Sequence, residues 1–240
     1  MLQVKELSVS FGPIQALCGV SVQIAENQVV CVLGANGAGK STLIRAISGQ
    51  VPILAGYIEL DGVRLSGLTV EEVARLGVVQ CPEGRQLFER LTVVENLRVG
   101  ASRLRIPWKR MKDDLDFIVE LFPVIRERWN QLSLTLSGGE QQMVALARSV
   151  MARPRFLMLD ELSLGLSPKL AGQVFEAVPK IAGRGVTILL AEQNARAALK
   201  VASKGYVFGS GKMVCSGESP ELRSFLEKAG GYFHEAVRSH

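Results

Sequence analysis

The stretch that most narrows what this chain can become is Gly34–Thr42, GANGAGKST. A glycine, four residues, then Gly-Lys-Ser is the pattern of a loop that cradles phosphate. Val29–Leu33 (VVCVL) before it is an uncharged, β-branched run suited to a buried strand, and Leu43–Ser48 after it reads as a helix. Strand, glycine loop, helix is the context the pattern needs. Gly34, Gly37 and Gly39 leave the backbone free of Cβ atoms, so the amides from Gly34 through Ala35, Asn36, Gly37, Ala38, Gly39, Lys40, Ser41 and Thr42 can line one concavity at a helix start. Lys40 adds a point charge for β and γ phosphates, and the Ser41 hydroxyl is a ligand for Mg²⁺.

The rest of the chain is consistent with one large domain around that loop. Its 240 residues are enough for a substantial core, and 48% hydrophobic against 21% charged residues is globular composition. Cys18, Cys31, Cys81 and Cys215 are far apart and form no CxxC pair, so they read as idle thiols in a reducing compartment. The start, MLQVKELSVSF, lacks a signal peptide's basic head and apolar run, and no segment reaches the roughly 18 apolar residues of a membrane span. Net charge is +5, and the densest basic run, Arg103–Lys112 with Trp108 inside it, precedes a charged helical segment. It reads as a solvated face and not as a nucleic-acid surface.

Apolar alternation predicts strands at Leu2–Ser10, Ser21–Ile24 and Tyr57–Leu60, the first two in a small antiparallel sheet. A helix over Val70–Leu76 closes at Gly77. Between Val78 and Val99 a strand is broken by Pro82 and Gly84, and a helix follows Thr92, with Glu95 completing a capping box. Apolar residues at helical spacing over Met111–Phe122 extend a helical middle third. Further on come strands at Phe156–Leu159 and Val186–Ala191, helices at Phe175–Ile181 and Ala195–Val201, and a hairpin of Tyr206–Phe208 with Met213–Cys215. Strands alternating with helices imply an α/β fold whose mainly parallel sheet binds ligands beyond its carboxyl ends.

Two more stretches bear on the phosphate loop. FLMLDE brings Asp160 to a strand end where it can hold the water shell of Mg²⁺, and Glu161, facing another way, can orient or deprotonate an attacking water. A strand ending in Asp-Glu is common by itself; in a chain with a phosphate loop it is more specific. LSGGEQ, Leu136–Gln141, is a helix start in which Ser137 caps and Glu140 closes the box. Capping leaves Gly138 and Gly139 unexplained, since each weakens a helix by roughly 1 kcal/mol relative to alanine. An unobstructed, amide-rich helix start is also a second anion site.

With these residues in hand, the chain resembles the ATP-binding cassette (ABC) ATPases over nearly its whole length. The resemblance implies a P-loop NTPase core with a mainly parallel sheet, an antiparallel β lobe and an inserted helical lobe. Residues about 1–83 and 155–240 would form the core with its β lobe, and about 84–154 the helical lobe. It implies ATP and Mg²⁺ as ligands, with Phe11 stacked on adenine. Two cassettes, identical or merely related, would face head to tail so that Ser137, Gly138, Gly139 and Glu140 act on ATP held by the other. Two membrane permease subunits would bind from the membrane side, and a periplasmic or extracellular solute-binding protein would act indirectly, placing this chain at the cytoplasmic side of the inner membrane.

Three positions depart from the general family pattern: Glu83 stands where a switch glutamine is expected, Gln193 where a switch histidine is, and Ser167 where an aspartate is. The runs PEGR, SLGL and EQNA are similar to the LivF type, the second ATPase of branched-chain amino acid importers; urea and short-chain amide importers share them. Glu83 remains suited to Mg²⁺, while Gln193 can hydrogen-bond but carries no charge. These changes leave open a subunit that binds nucleotide without hydrolysing it. Leu162 replaces a proline usual in that subgroup and predicts a looser loop after Glu161. Leu87 and Phe88 read equally as a docking surface for a permease helix and as core. His234 and His240, in the tail, read as bystanders.

Overall fold

The computed structural model describes residues 1–228 of the chain, so His234 and His240 lie outside the described residues. The chain opens with β1 (Leu2–Phe11) and β2 (Ile14–Ile24), paired antiparallel. β2 begins seven residues before the predicted Ser21 because its first half is exposed, which hides the alternation. After β3 (Val29–Leu33), the glycine loop leads into α1 (Lys40–Ile47), then β4 (Ala55–Leu60), β5 (Val63–Arg64), α2 (Val70–Arg75) and β6 (Val78–Cys81). α1 starts three residues before Leu43 because Gly39, at φ +104°, supplies the turn from which the helix departs. Gly77, at φ +85°, closes the turn after α2.

From Pro82 to Arg155 the chain forms no strand. It runs through α3 (Val93–Ala101), α4 (Lys112–Leu121), α5 (Val124–Glu127) and α6 (Gly138–Met151). Capping boxes start α3 at Thr92 and α6 at Ser137. β7 (Phe156–Asp160) returns to the sheet, followed by α7 (Pro168–Ala182), β8 (Thr187–Glu192), α8 (Ala195–Val201), β9 (Lys204–Gly209), β10 (Lys212–Glu218) and α9 (Ser219–Lys228). α7 begins well before the predicted Phe175. Ser167 accepts from the Leu170 amide and Pro168 occupies the first turn, where its missing donor costs nothing. Pro179 is tolerated near the other end, on the exposed side.

The main sheet has the order β10-β9-β3-β8-β7-β6, parallel except for β10. A smaller antiparallel sheet has the order β2-β1-β4-β5. β3, β7 and β8 are buried along their whole lengths because both faces of the main sheet are covered. Strand periodicity splits each between two cores. Val29, Cys31 and Leu33 pack with α6, α7 and the helices from Val93 to Ile125, while Val30 and Val32 pack with α1 and the smaller sheet. Cys31 and Cys81 lie in the first core as free thiols, their pKa values pushed by burial to about 12 and about 11. No helix among the described residues is long and apolar enough to cross a membrane.

Candidate functional site

Everything placed at the carboxyl end of β3 converges on Lys40. Gly34 must be glycine, since a Cβ there would lie 2.6 Å from the Phe208 carbonyl oxygen and 2.8 Å from the Ala38 Cβ. Gly39 fits against Leu17 and the Ala16 carbonyl, so β2 forms one wall of the loop, and the Gly211 amide donates to the Ala38 carbonyl from another side. Asn36 and Gly37 face solvent, with Gly37 at φ +81°, while Lys40 is 4% exposed. Its Nζ donates to the carbonyls of Gly34 (2.9 Å) and Ala35 (3.1 Å) and pairs with Glu161 Oε1 at 2.9 Å. No side chain caps α1, whose first-turn amides therefore stay available to an anion.

The Ser41 hydroxyl donates to Asp160 Oδ1 at 3.0 Å across 119 residues of sequence. Burial raises the Asp160 pKa to about 6, against the opposing Ser41 hydrogen bond; the charges of Glu83 and Glu161 raise it further, and Lys40 lowers it. A carboxylate held among negative neighbours favours a cation beside it. Glu83 is exposed, and shares with Asp160, Gln80 and Gln86 a cavity of about 520 Å³. No cluster of three or more His, Cys, Asp or Glu side chains suited to a metal occurs among the described residues. The donor set of Ser41, Asp160 and Glu83 fits Mg²⁺, which commonly takes one or two carboxylates plus substrate phosphates and waters.

Glu161 sits 8% exposed at φ +50°, an uncommon backbone for a non-glycine residue. The loop after it is not loose. Leu162 is fully buried in the core beneath α6 and α7, and Ser163 donates from both its amide (3.0 Å) and its hydroxyl (2.9 Å) to Glu192. Glu192, at the end of β8, is fully buried; burial lifts its pKa to about 7, with the Glu161 charge adding to the rise and hydrogen bonds from Ser163 opposing it. No local pattern signals this clamp, because its partners are 29 residues apart. Gln193, one residue on, is exposed.

At the start of α6 the Ser137 hydroxyl accepts from the Glu140 amide, and Glu140 Oε2 accepts from the Ser137 amide at 2.7 Å. Arg128 pairs with Glu140 at 3.2 Å. Ser137 is exposed. The glycines acquire only a partial packing reason: a Cβ on Gly139 would lie 2.4 Å from Leu170 Cδ1, and one on Gly138 would lie 2.8 Å from Arg85 Nη2. Both obstacles are ends of flexible side chains. No local sequence pattern marks Arg85 or Arg148, the latter tying the loop after β6 to α6 through the Gln86 and Arg85 carbonyls. Phe11 lies 44% exposed at the β1–β2 turn, open to a stacking partner, and Ser167 is spent on capping α7. Leu87 is half-buried against the core and Phe88 is 51% exposed, so the two adjacent residues divide between core and surface.

The fold and the phosphate loop define a P-loop nucleotide-binding α/β protein. Residues 17–163 match the ABC transporter family model, and the chain belongs to that family: it is an ATP-binding, ATP-hydrolysing subunit of a transporter. It is 43% identical over 218 residues to the high-affinity branched-chain amino acid transport ATP-binding protein BraG of Pseudomonas aeruginosa, covering 89% of this chain and 91% of that one. It is 32% identical to the lipopolysaccharide export system ATP-binding protein LptB of Haemophilus influenzae, covering 92% and 91%. Among solved structures, an ATP-binding cassette of an ABC transporter superposes with a TM-score of 0.87 at 25% identity, covering 100% of this chain and 99% of that one.

Proposed function

We propose that this chain powers a branched-chain amino acid importer, as one of two ATPase subunits beneath a pair of permease subunits on the cytoplasmic face of the inner membrane. The observation that carries the reading is the pairing of Lys40 with Glu161 at 2.9 Å and of Ser41 with Asp160 at 3.0 Å, which joins the phosphate loop after β3 to the end of β7. The similarity to BraG supports the solute class, and the runs PEGR, SLGL and EQNA point the same way. Urea or a short-chain amide is the alternative cargo.

In this reading adenine stacks on Phe11, and the amides from Gly34 to Thr42 take the phosphate oxygens. Ser41, Asp160 and Glu83 would hold Mg²⁺, which when bound neutralises charge between β and γ phosphates. Lys40 now divides its protons between two carbonyls and Glu161. A γ-phosphate draws Lys40 to itself, and the released Glu161 carboxylate is free to align a water and take its proton. Gln193 hydrogen-bonds the same water or phosphate. Ser137, Gly138, Gly139 and Glu140 form the helix start offered to ATP on the partner cassette, which is either a second copy or a relative. The cleft behind Glu83 to Phe88, where Phe88 is exposed, receives a permease helix.

Single-turnover phosphate release tests the catalytic assignment. Glu161→Gln retains ATP binding and loses release; sustained release from that variant would refute Glu161 as the base, and no release from the unaltered chain would favour a purely regulatory subunit. Uptake of labelled leucine against urea by the chain with its permeases tests the cargo.

A further inference from the structure

Three consecutive residues after β7 are each fastened, and β8 supplies two of the fastenings. The Glu161 amide donates to the Ala191 carbonyl at 2.9 Å, Leu162 is fully buried in the core, and Ser163 meets Glu192 through its amide (3.0 Å) and its hydroxyl (2.9 Å). The two Ser163 bonds go to different oxygens of Glu192, so the carboxylate grips the turn as a fork. On its other side Glu192 lies in register with Leu33, the residue that leads into the phosphate loop. The end of β8 thus stands between the loop that carries Lys40 and the turn that carries Glu161.

A carboxylate is a costly side chain for that place. Glu192 is fully buried and makes no ion pair among the described residues, and a charge held out of water without a cation is unfavourable. A residue chosen for packing alone would be apolar, as Ile188, Leu189, Leu190 and Ala191 before it are. What the carboxylate supplies is a fixed Ser163. Glu161 itself has φ +50°, a form that a non-glycine residue keeps where surrounding contacts over-determine it.

Before nucleotide binds, Lys40 holds the Glu161 carboxylate at 2.9 Å. Once a γ-phosphate draws Lys40 away, the aim of that carboxylate depends on its backbone, and the backbone depends on its moorings to β8. We infer that Glu192 is a positioning residue for hydrolysis: through Ser163 it holds the turn from which Glu161 faces the attacking water. This rests on Glu161 acting as the base, as proposed above. The clamp touches no part of the phosphate loop's amide cradle, so it governs the rate of the chemical step and not the affinity for ATP.

Single-turnover phosphate release and equilibrium titration with ATP, both on the full chain with Mg²⁺, test it through three variants. Glu192→Leu removes both bonds, and release slows about a hundredfold while the Kd for ATP stays within about twofold. Glu192→Gln, whose carboxamide can accept from the Ser163 amide and donate to its hydroxyl, recovers most of the rate. Ser163→Ala loses only the hydroxyl bond, slows release to an intermediate extent, and carries the test if Glu192→Leu does not fold. Release at the unaltered rate in the variant that carries the test overturns the inference, as does a Glu192→Gln chain as slow as Glu192→Leu, or a loss of ATP affinity that matches the loss of rate. Combined with Glu161→Gln, Glu192→Leu adds no further loss. A slow Glu192→Leu beside a Glu161→Gln of unaltered rate would instead sink the assignment of the base.

Discussion

The phosphate loop and the start of α6 are both glycine-bearing helix starts, but they are built to different standards. Around Lys40 the chain is closed in: the lysine and Glu161 are buried and paired, Gly34 abuts backbone, and Ser41 already bonds Asp160. Around Ser137 it is open: the cap is exposed, and Gly138 and Gly139 face the movable ends of Arg85 and Leu170. At the first, the side chains already pair with one another within the chain. The other is a capped helix start at the surface, its two glycines walled by side chains that can move.

Substitutions put that contrast to the test. Glu161→Gln has the largest expected effect, slowing single-turnover phosphate release by roughly 10²–10⁴-fold with ATP still bound. Lys40→Ala is expected to weaken ATP binding about a hundredfold, ~2.7 kcal/mol, measurable by equilibrium titration of the isolated chain. Gly34→Ala pushes a methyl into the Phe208 carbonyl and should destabilise the fold by about 1–3 kcal/mol in denaturant unfolding. Gly139→Ala meets only the Leu170 side chain and should cost less; an equal loss at the two positions would erase the distinction drawn here. Ser137→Ala removes a cap and should lower stability by about 1 kcal/mol while leaving ATP binding to the isolated chain unchanged.

The smallest effect is a pH slope. Burial raises the folded-state pKa of Glu192 from 4.5 to about 7, so the folded chain binds a proton there that the unfolded chain has released. Its contribution to stability is therefore largest below the unfolded value and declines as pH rises through about 7. Thermal midpoints of the ligand-free chain from pH 5 to 8 should fall less steeply in Glu192→Gln than in the unaltered chain, and parallel slopes would remove Glu192 from the account.

The parts legible in the sequence are those written locally. The buried run before the glycine loop, the capping boxes at Thr92 and Ser137, and the apolar strand ending at Asp160 each need only a few consecutive residues. What was not legible depends on pairing at a distance: Arg85 with Gln141 lies 56 residues apart, and Ser163 with Glu192 lies 29 apart. Leu162 misled for the same reason. Without the core beneath it, a leucine after Glu161 signals slackness; with that core, it is an anchor. The early start of α7 is written in Ser167-Pro168, a capping serine followed by a first-turn proline.

The alternation of β3 has a mechanical corollary. Its odd-numbered side chains lean on the helical side and its even-numbered ones on the smaller sheet, so the strand is a party wall between two rooms, with the nucleotide loop hung from its end. A cavity opened on either side borders the same five-residue strand: Val32→Ala opens one toward the smaller sheet, and Cys31→Ala trims the packing toward the helices.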